Sequence, residues 1–203
     1  MVKVNSHEFT PDKVDNITGY FRADITDAVG SHAEVTVTRT GDTPAYGSVY
    51  SVSTRDMESI DAVGCYDLNI EKRFLVKQAG ADGTTWKETT SFKVGDVVKV
   101  SLTVKVKATM QYVVINDNRA ACLEPVNQLP TPVWSENICF YRQTGDSSSD
   151  IFINYLPEGT YILEQEFTVT NPGTFTSGIA TAQSQYAPQY TAHSAGFKLS
   201  VEK

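Results

Sequence analysis

The residues of this sequence that most suggest covalent chemistry are Cys122, Leu123 and Glu124. They match three of the four positions of Cys-x-Glu-Gln, the motif in which a cysteine sulfur attacks a glutamine side-chain amide and forms an internal thioester. The fourth position is Pro125, which has no side-chain amide, and Gln128 is displaced by three residues. Because the sulfur has no acyl group to capture, we interpret Cys122 as a structural residue.

The other cysteines carry no recognisable motif. With Cys65, Cys122 and Cys139 the count is odd, so at least one thiol is unpaired. A disulfide between Cys122 and Cys139 is compatible with the sequence. The spacing of the Cys and His residues does not match a zinc site. We favour the interpretation that the three side chains are small, buried and apolar.

Titratable residues form no catalytic signature. His7, His32 and His193 lie outside motifs such as Gly-x-Ser-x-Gly or His-Glu-x-x-His, and the chain has neither a phosphate-binding loop nor a dinucleotide fingerprint. Nothing marks a pair of catalytic carboxylates, since the acids lie mostly in predicted turns. We therefore predict no enzyme activity and no cofactor.

Two polar segments have the residue types of a calcium site. Gly145–Asp150, "GDSSSD", and Asn116–Arg119, "NDNR", offer carboxylate, amide and hydroxyl oxygens. Neither has the ligand spacing of an EF-hand. We interpret the first as a hairpin loop and the second as the end of a strand, and we predict no metal site.

The most unusual segment is Ser184–Gly196, "SQYAPQYTAHSAG", in which Tyr186 and Tyr190 bracket Pro188. The proline disfavours helix for the preceding residue and keeps the segment extended or turned. A tyrosine on such a stiff loop can contact a partner, and it can equally close the end of a β-sandwich. The sequence leaves both interpretations open.

Composition limits the classes of partner. The chain has 203 residues, 40% of them hydrophobic and 20% charged, with a net charge of −7. Nucleic-acid binding requires clusters of Lys and Arg, so this balance argues against it and against docking to anionic lipid. No apolar run is long enough to span a bilayer.

Strand patterns dominate the chain. In Val97–Lys107, apolar residues recur every second position from Val98, while Lys, Ser and Thr fill the other positions from Lys99 onward, a pattern typical of a strand with one wet face. Similar segments separated by turn residues predict an all-β, antiparallel, immunoglobulin-like sandwich. A domain junction is expected near Asp61–Tyr66. Before it, strands are expected in "VKVNSHEF", "GYFRADIT", "HAEVTVTRT" and "AYGSVYSVS", and later ones include "GTFTSGIATAQ" as a single strand. Thr54–Gly64 is predicted to be a connector of one or two helical turns, with Thr54 or Asp56 as its N-cap.

Three segments in order resemble the C-terminal macroglobulin-like domain of bacterial alpha-2-macroglobulins. Phe92–Val106 is similar to the "GD-x-V-x-V" strand of that family, and Gln111–Asn127 to its "YVV-x-D-x-x-x-A-x-x-E-P" segment. Asp150–Pro188 resembles its "LP-x-G-x-Y", "PG-x-F" and "MY-x-P" motifs. In addition, Thr43–Ile60 resembles the segment that precedes this domain in Bacteroidetes-type members.

The resemblance implies a domain organisation. Residues 1–61 would be the returning part of a small CUB-like β domain, 62–67 a connector and 68–203 the C-terminal macroglobulin-like sandwich. The chain would be a non-catalytic fragment of a protease trap in the periplasm or cell envelope, with a signal or lipid anchor upstream. Its partners would be the thioester-bearing helical domain of the parent chain and, through the parent, proteases.

The resemblance also implies a role for the unusual loop. The tyrosine of "MY-x-P", implicated in shielding the thioester from water, corresponds to Tyr186, with Pro188 as its proline and Tyr190 beside it. Gln185 stands where the family has methionine.

Two alternative functions remain. One is a carbohydrate-binding or adhesin module whose tyrosines stack on sugars. The other is a hydrolase or hydrolase accessory domain that uses paired acids.

Overall fold

The structure is a computed structural model that describes residues 2–5, 7–11, 14–25, 34–50, 52–80, 83–135 and 137–203. His32 and Ala33, in one of the predicted strands, lie outside the described residues. The chain divides into two compact units, Met1–Val52 and Ser53–Lys203. The all-β prediction is confirmed, since strands and one 3₁₀ turn are the regular elements of the described residues.

Among its described residues, the first unit has one small antiparallel sheet. Its strands are β1 (Val2–Val4), β2 (His7–Phe9) and β3 (Val35–Val37), with β1 at the centre. Two predicted strands are wrong: residues 19–25 and the described residues of 45–53 are irregular. Tyr46 and Tyr50 there are almost fully exposed. The alternating pattern of this segment therefore does not correspond to a buried strand face.

The described residues of the second unit form fourteen strands in three sheets. They are β4 (Leu68–Gly80), β5 (Gly83–Glu88), β6 (Ser91–Lys93), β7 (Val97–Val106), β8 (Met110–Asn118), β9 (Leu123–Pro125), β10 (Thr131–Ser135), β11 (Ile138–Thr144), β12 (Ser148–Leu156), β13 (Gly159–Val169), β14 (Gly173–Ser177), β15 (Ala180–Ser184), β16 (Thr191–His193) and β17 (Phe197–Glu202). The sheets have the orders β10-β11-β12-β8-β15-β16, β5-β4-β7-β13-β9 and β14-β17-β6. All pairs are antiparallel except β17 with β6.

The core lies between the six-stranded and five-stranded sheets. On β7 the period-two apolar residues are buried, as the sequence predicts; they are Val98, Val100, Leu102, Val104 and Val106. Ile151 and Ile153 on β12 and Val113 and Ile115 on β8 line the same core from the other sheet. Burial of these alternating faces, at about 25 cal/mol per Å² of apolar surface, provides the main favourable energy of the fold.

The predicted strand "GTFTSGIATAQ" is two strands in different sheets. Gly173–Ser177 pairs with β17, whereas Ala180–Ser184 pairs with β8. The chain crosses between sheets at Gly178, where a Cβ would overlap the Cβ of Asn118. A residue without a side chain is therefore required at the crossing, and the sequence pattern alone does not show that the strand breaks there.

The segment before β4 packs on the edge of this unit. Its helical part is one 3₁₀ turn at Met57–Ser59, with Asp56 at the N-cap position, as predicted, but without a side-chain cap. Val63 then exchanges two backbone hydrogen bonds with His193 on β16, at 3.0 and 2.7 Å. Across the described residues no helical element has the length and apolar character that a membrane crossing needs.

Gly196 fixes the segment before β4 against the sandwich. Its N–H donates to Ile60 O at 2.9 Å, and a Cβ there would overlap the backbone carbonyl of Met57. We expect Gly196→Ala to cost about 1–3 kcal/mol, because backbone must move. Amide exchange in residues 57–63 should also accelerate.

The matched control is Gly145→Ala, whose Cβ would meet only Ser148 O at an ordinary 3.5 Å. It should leave both stability and amide exchange in the connector unchanged. Equal effects of the two substitutions would contradict the packing argument.

Candidate interaction site

The loop between β15 and β16 presents the most exposed aromatic side chain of the second unit. Ala180 and Ala182 of β15 are buried, and their small size lets the strand lie close against the core. Beyond Ser184 the chain turns, and β16 returns it along the edge of the six-stranded sheet. Tyr186, at the tip of the turn, is 82% exposed.

Hydrogen bonds hold this loop at both ends. Ser184 N–H donates to Tyr190 O at 3.1 Å, and Tyr190 N–H donates to Ala187 O at 2.9 Å. The Ser184 hydroxyl donates to Gln111 O at 3.2 Å, and Gln185 N–H donates to Tyr112 O at 2.9 Å. The loop is therefore tied to β8 as well as closed on itself.

A second tyrosine supports the exposed ring. The centroids of Tyr112 and Tyr186 lie 5.2 Å apart with an interplanar angle of 88°, an edge-to-face arrangement. Tyr112 is half exposed and has φ +51°, a conformation rare for an aromatic residue. Sequence reasoning missed this residue, because in "QYVVIND" it looks like an ordinary strand position and no sequence signal marks its backbone.

The two interpretations of the tyrosine loop apply to different residues. Tyr186 is presented outward, whereas Tyr190 is half-buried and packs against the hydrophobic core. Pro188 is exposed and lies in the turn, as expected from its fixed φ. The loop thus combines one side chain available for contact with one that anchors it.

A buried ion pair secures β8, the strand that carries Tyr112. Lys72 Nζ on β4 lies 2.7 Å from Asp117 Oδ1 on β8, and both side chains are at least 95% buried. The same ammonium donates to Asn118 O at 2.7 Å and to Gly178 O at 3.1 Å. Burial raises the pKa of Asp117, while the charges of Lys72, Arg142 and Arg119 oppose the shift. The pair links the two main sheets.

The structure separates the atoms of the thioester-like motif. Cys122 is fully buried, as the structural interpretation predicts, and its burial raises the pKa of the thiol. Glu124 is exposed on β9, so sulfur and carboxyl point into different environments. Cys65, Cys122 and Cys139 are all free thiols. The expectation that all three are buried holds for Cys122; Cys65 is only partly buried, and Cys139 is exposed on β11.

The polar segments take structural positions. Residues 145–147 form the turn between β11 and β12, and the Arg119 guanidinium donates to Gly145 O at 2.8 Å and to Asp146 O. Asn116 Nδ2 donates to Asp150 Oδ1 at 2.6 Å. The part of the chain that the structure describes contains no group of three or more His, Cys, Asp or Glu side chains placed to hold a metal ion.

Two of the three histidines fall among the described residues, and each lies on a short strand. His7 is exposed on β2, and His193 is half-buried on β16 with its Nδ1 3.1 Å from Ser194 O. His32 lies outside the described residues. The side chain that the loop between β15 and β16 makes available for contact is the aromatic ring of Tyr186.

Comparison with known families and structures agrees with these features. A family model of the bacterial alpha-2-macroglobulin MG10 domain matches residues 68–189. No curated protein matches the sequence.

Solved structures of larger proteins share the fold. Salmonella alpha-2-macroglobulin reacted with methylamine is 26% identical, with a TM-score of 0.57 over 70% of this chain and 10% of that one. Native Escherichia coli alpha-2-macroglobulin, from domain MG7 to the C-terminus, is 22% identical with the same TM-score, over 70% of this chain and 24% of that one. The chain thus spans between a tenth and a quarter of the length of these two structures.

Proposed function

This chain belongs to the bacterial alpha-2-macroglobulin family, and from that membership we propose that it is a non-catalytic, C-terminal docking fragment of a protease trap. In this proposal it packs against the thioester-bearing helical domain of the parent chain. The parent inhibits proteases, and this fragment reaches them only through the parent. Residues 1–61 would belong to the small CUB-like domain, 62–67 to the connector and 68–203 to the docking sandwich.

The observation that carries the proposal is the braced Tyr186 loop. A large ring that is 82% exposed on a loop with backbone ties to β8 is preorganised for contact, because little rotational freedom remains to be lost on binding. The Tyr112 ring further restricts it. Aromatic anchors of this kind carry much of the energy of protein interfaces.

The chemistry of the site fits shielding rather than catalysis. A tyrosine ring placed over a thioester excludes water from the acyl carbon, and it needs no titratable partner to do so. Pro188 and Tyr190 position the ring, since one shapes the turn and the other anchors it to the core.

Tyr186→Ala is expected to weaken docking to the thioester-bearing domain of the parent about 30-fold. Loss of an aromatic anchor costs about 2 kcal/mol or more, and 1.4 kcal/mol corresponds to a factor of ten. Titration calorimetry with the isolated partner domain measures the affinity. In the intact parent, release of a free thiol from the thioester should accelerate.

Tyr141→Ala is the matched control, because Tyr141 is an exposed tyrosine on β11, two strands away from β8. It should leave docking and thiol release unchanged. A parent without Cys-x-Glu-Gln, or equal affinities for wild type and Tyr186→Ala, would rule out the shielding role.

We place the parent in the periplasm or cell envelope, with a signal or lipid anchor upstream of this segment. Family membership supports this location, since a protease trap protects the envelope. Cell fractionation with antibody against this chain tests it, and recovery in the cytoplasmic fraction would contradict it.

A second candidate, carbohydrate binding, is favoured by one observation. Trp134, Tyr141 and Phe152 are exposed on the outer face of β10, β11 and β12, and the Tyr141 and Phe152 rings lie 6.5 Å apart. Such a row can stack on sugar rings. A glycan array distinguishes the two functions, because sugar binding would be lost in Tyr141→Ala and kept in Tyr186→Ala.

A further inference from the structure

The interior of the sandwich contains a small polar cavity. Its volume is about 10 Å³, and it lies between the six-stranded and five-stranded sheets. Apolar side chains from both sheets surround four polar ones. The lining residues are Val100, Leu102, Asp117, Arg142, Ser149, Ile151, Leu163 and Gln165.

Two buried polar atoms of the residues that line this cavity have no hydrogen-bond partner among the described residues. They are Ser149 Oγ and Arg142 Nε. Ser149 and Asp117 are direct cross-strand neighbours on β12 and β8, and both are more than 95% buried. Asp117 Oδ1 lies 2.7 Å from Lys72 Nζ, whose third N–H remains after its two bonds to backbone carbonyls, and the carboxylate can accept a further hydrogen bond. Unpaired buried polar atoms are costly, so two beside one cavity, next to a carboxylate, indicate a ligand.

We propose that this cavity is a binding site for one internal water molecule. Arg142 Nε can only donate a hydrogen bond and the carboxylate of Asp117 can only accept one, so the ligand must do both. A metal ion is disfavoured by the guanidinium, and an anion by the carboxylate. A volume of about 10 Å³ holds one water, and Ser149 Oγ, Arg142 Nε and the Asp117 carboxylate match the usual number of partners.

The water completes a network that crosses the sandwich. It joins Arg142 on β11 to Asp117 on β8, and Asp117 pairs with Lys72 on β4 of the opposite sheet. Arg142 Nη2 donates to Glu164 O on β13 at 2.9 Å, so the network reaches the five-stranded sheet at a second point. Ser149 Oγ and Arg142 Nε then both have a hydrogen-bond partner.

The test compares internal hydration of the full chain and its variants. Magnetic relaxation dispersion of water should detect one long-lived water fewer in Ser149→Val, whose methyl groups fill the cavity. Ser184→Val is the matched control and should lose none, because the Ser184 hydroxyl bonds Gln111 O outside the cavity.

A high-resolution crystal structure of the wild-type protein tests the site even where the valine variant fails to fold. We expect one ordered water within about 3.2 Å of Ser149 Oγ, Arg142 Nε and an oxygen of the Asp117 carboxylate. Equal water counts in wild type and Ser149→Val would overturn the proposal. So would a crystal structure with an ion at this position, or with Arg142 bonded directly to Asp117.

Discussion

Lys72→Met is expected to lower the free energy of unfolding of the second unit by about 3–5 kcal/mol at pH 7. The substitution keeps a similar apolar stem but leaves the buried carboxylate of Asp117 without its counter-ion. The carbonyls of Asn118 and Gly178 also lose their donor. Urea denaturation followed by tryptophan fluorescence measures the change, since Trp86 and Trp134 both lie in this unit.

The loss should shrink as the pH falls. Burial already raises the pKa of Asp117 above its ordinary 3.8, and Lys72 is the largest opposing influence, so its removal raises the pKa further. A carboxyl whose pKa is higher in the folded state than in the unfolded state binds protons more tightly when the protein is folded. The free energy of unfolding therefore rises as the pH decreases through that pKa. The deficit of Lys72→Met should therefore be greatest at pH 7 and smaller near pH 4.

Two variants serve as controls. Lys99→Met removes a more exposed ion pair, Lys99–Glu164 at 2.9 Å, and should cost no more than about 1 kcal/mol. The double variant Lys72→Met with Asp117→Leu removes both charges and should recover part of the loss. A Lys72→Met protein as stable as wild type at every pH would contradict the role of the pair.

Phe74→Ala is expected to destabilise the second unit by about 3–5 kcal/mol. Phe74 is fully buried on β4, and its ring lies 6.5 Å from the ring of Phe92 on β6 and 5.4 Å from that of Phe197 on β17. One side chain thus packs the five-stranded sheet against the three-stranded sheet. Its removal leaves a cavity that rigid strands cannot close.

Phe152→Ala tests whether the loss reflects burial. Phe152 lies half-exposed on the outer face of β12, so its removal should cost about 1 kcal/mol or less. Equal midpoints of denaturation for the two alanine variants would show that the contact among the three phenylalanines does not stabilise the fold.

The alternation of side chains was enough to predict the sandwich strands. On β7, Val98 to Val106 are buried at every second position, because successive residues of a strand face opposite sides and only one side is wet. The same rule failed in part of the first unit, at residues 45–50, where the segment with Tyr46 and Tyr50 forms no strand and both side chains are exposed. Alternation shows that a segment can form a strand. A buried strand forms only where a neighbouring strand pairs with the segment and another layer covers its apolar face.

The tyrosine loop was predictable in part. Pro188 limits its own backbone and that of its neighbour, so the sequence alone indicated a stiff turn between Tyr186 and Tyr190. Which tyrosine faces solvent depends on the strands at each end of the loop. The contact with Tyr112, 74 residues earlier in the chain, exists only because β15 pairs with β8.

By itself, then, the sequence determined an all-β chain, a structural Cys122 and membership in a family, since these depend on local periodicity, on missing side-chain groups and on ordered motifs. Only the tertiary structure decided that Lys72 pairs with Asp117 and that Tyr112 supports Tyr186. Those contacts join residues far apart in the chain, and nothing in local composition encodes which strands become neighbours.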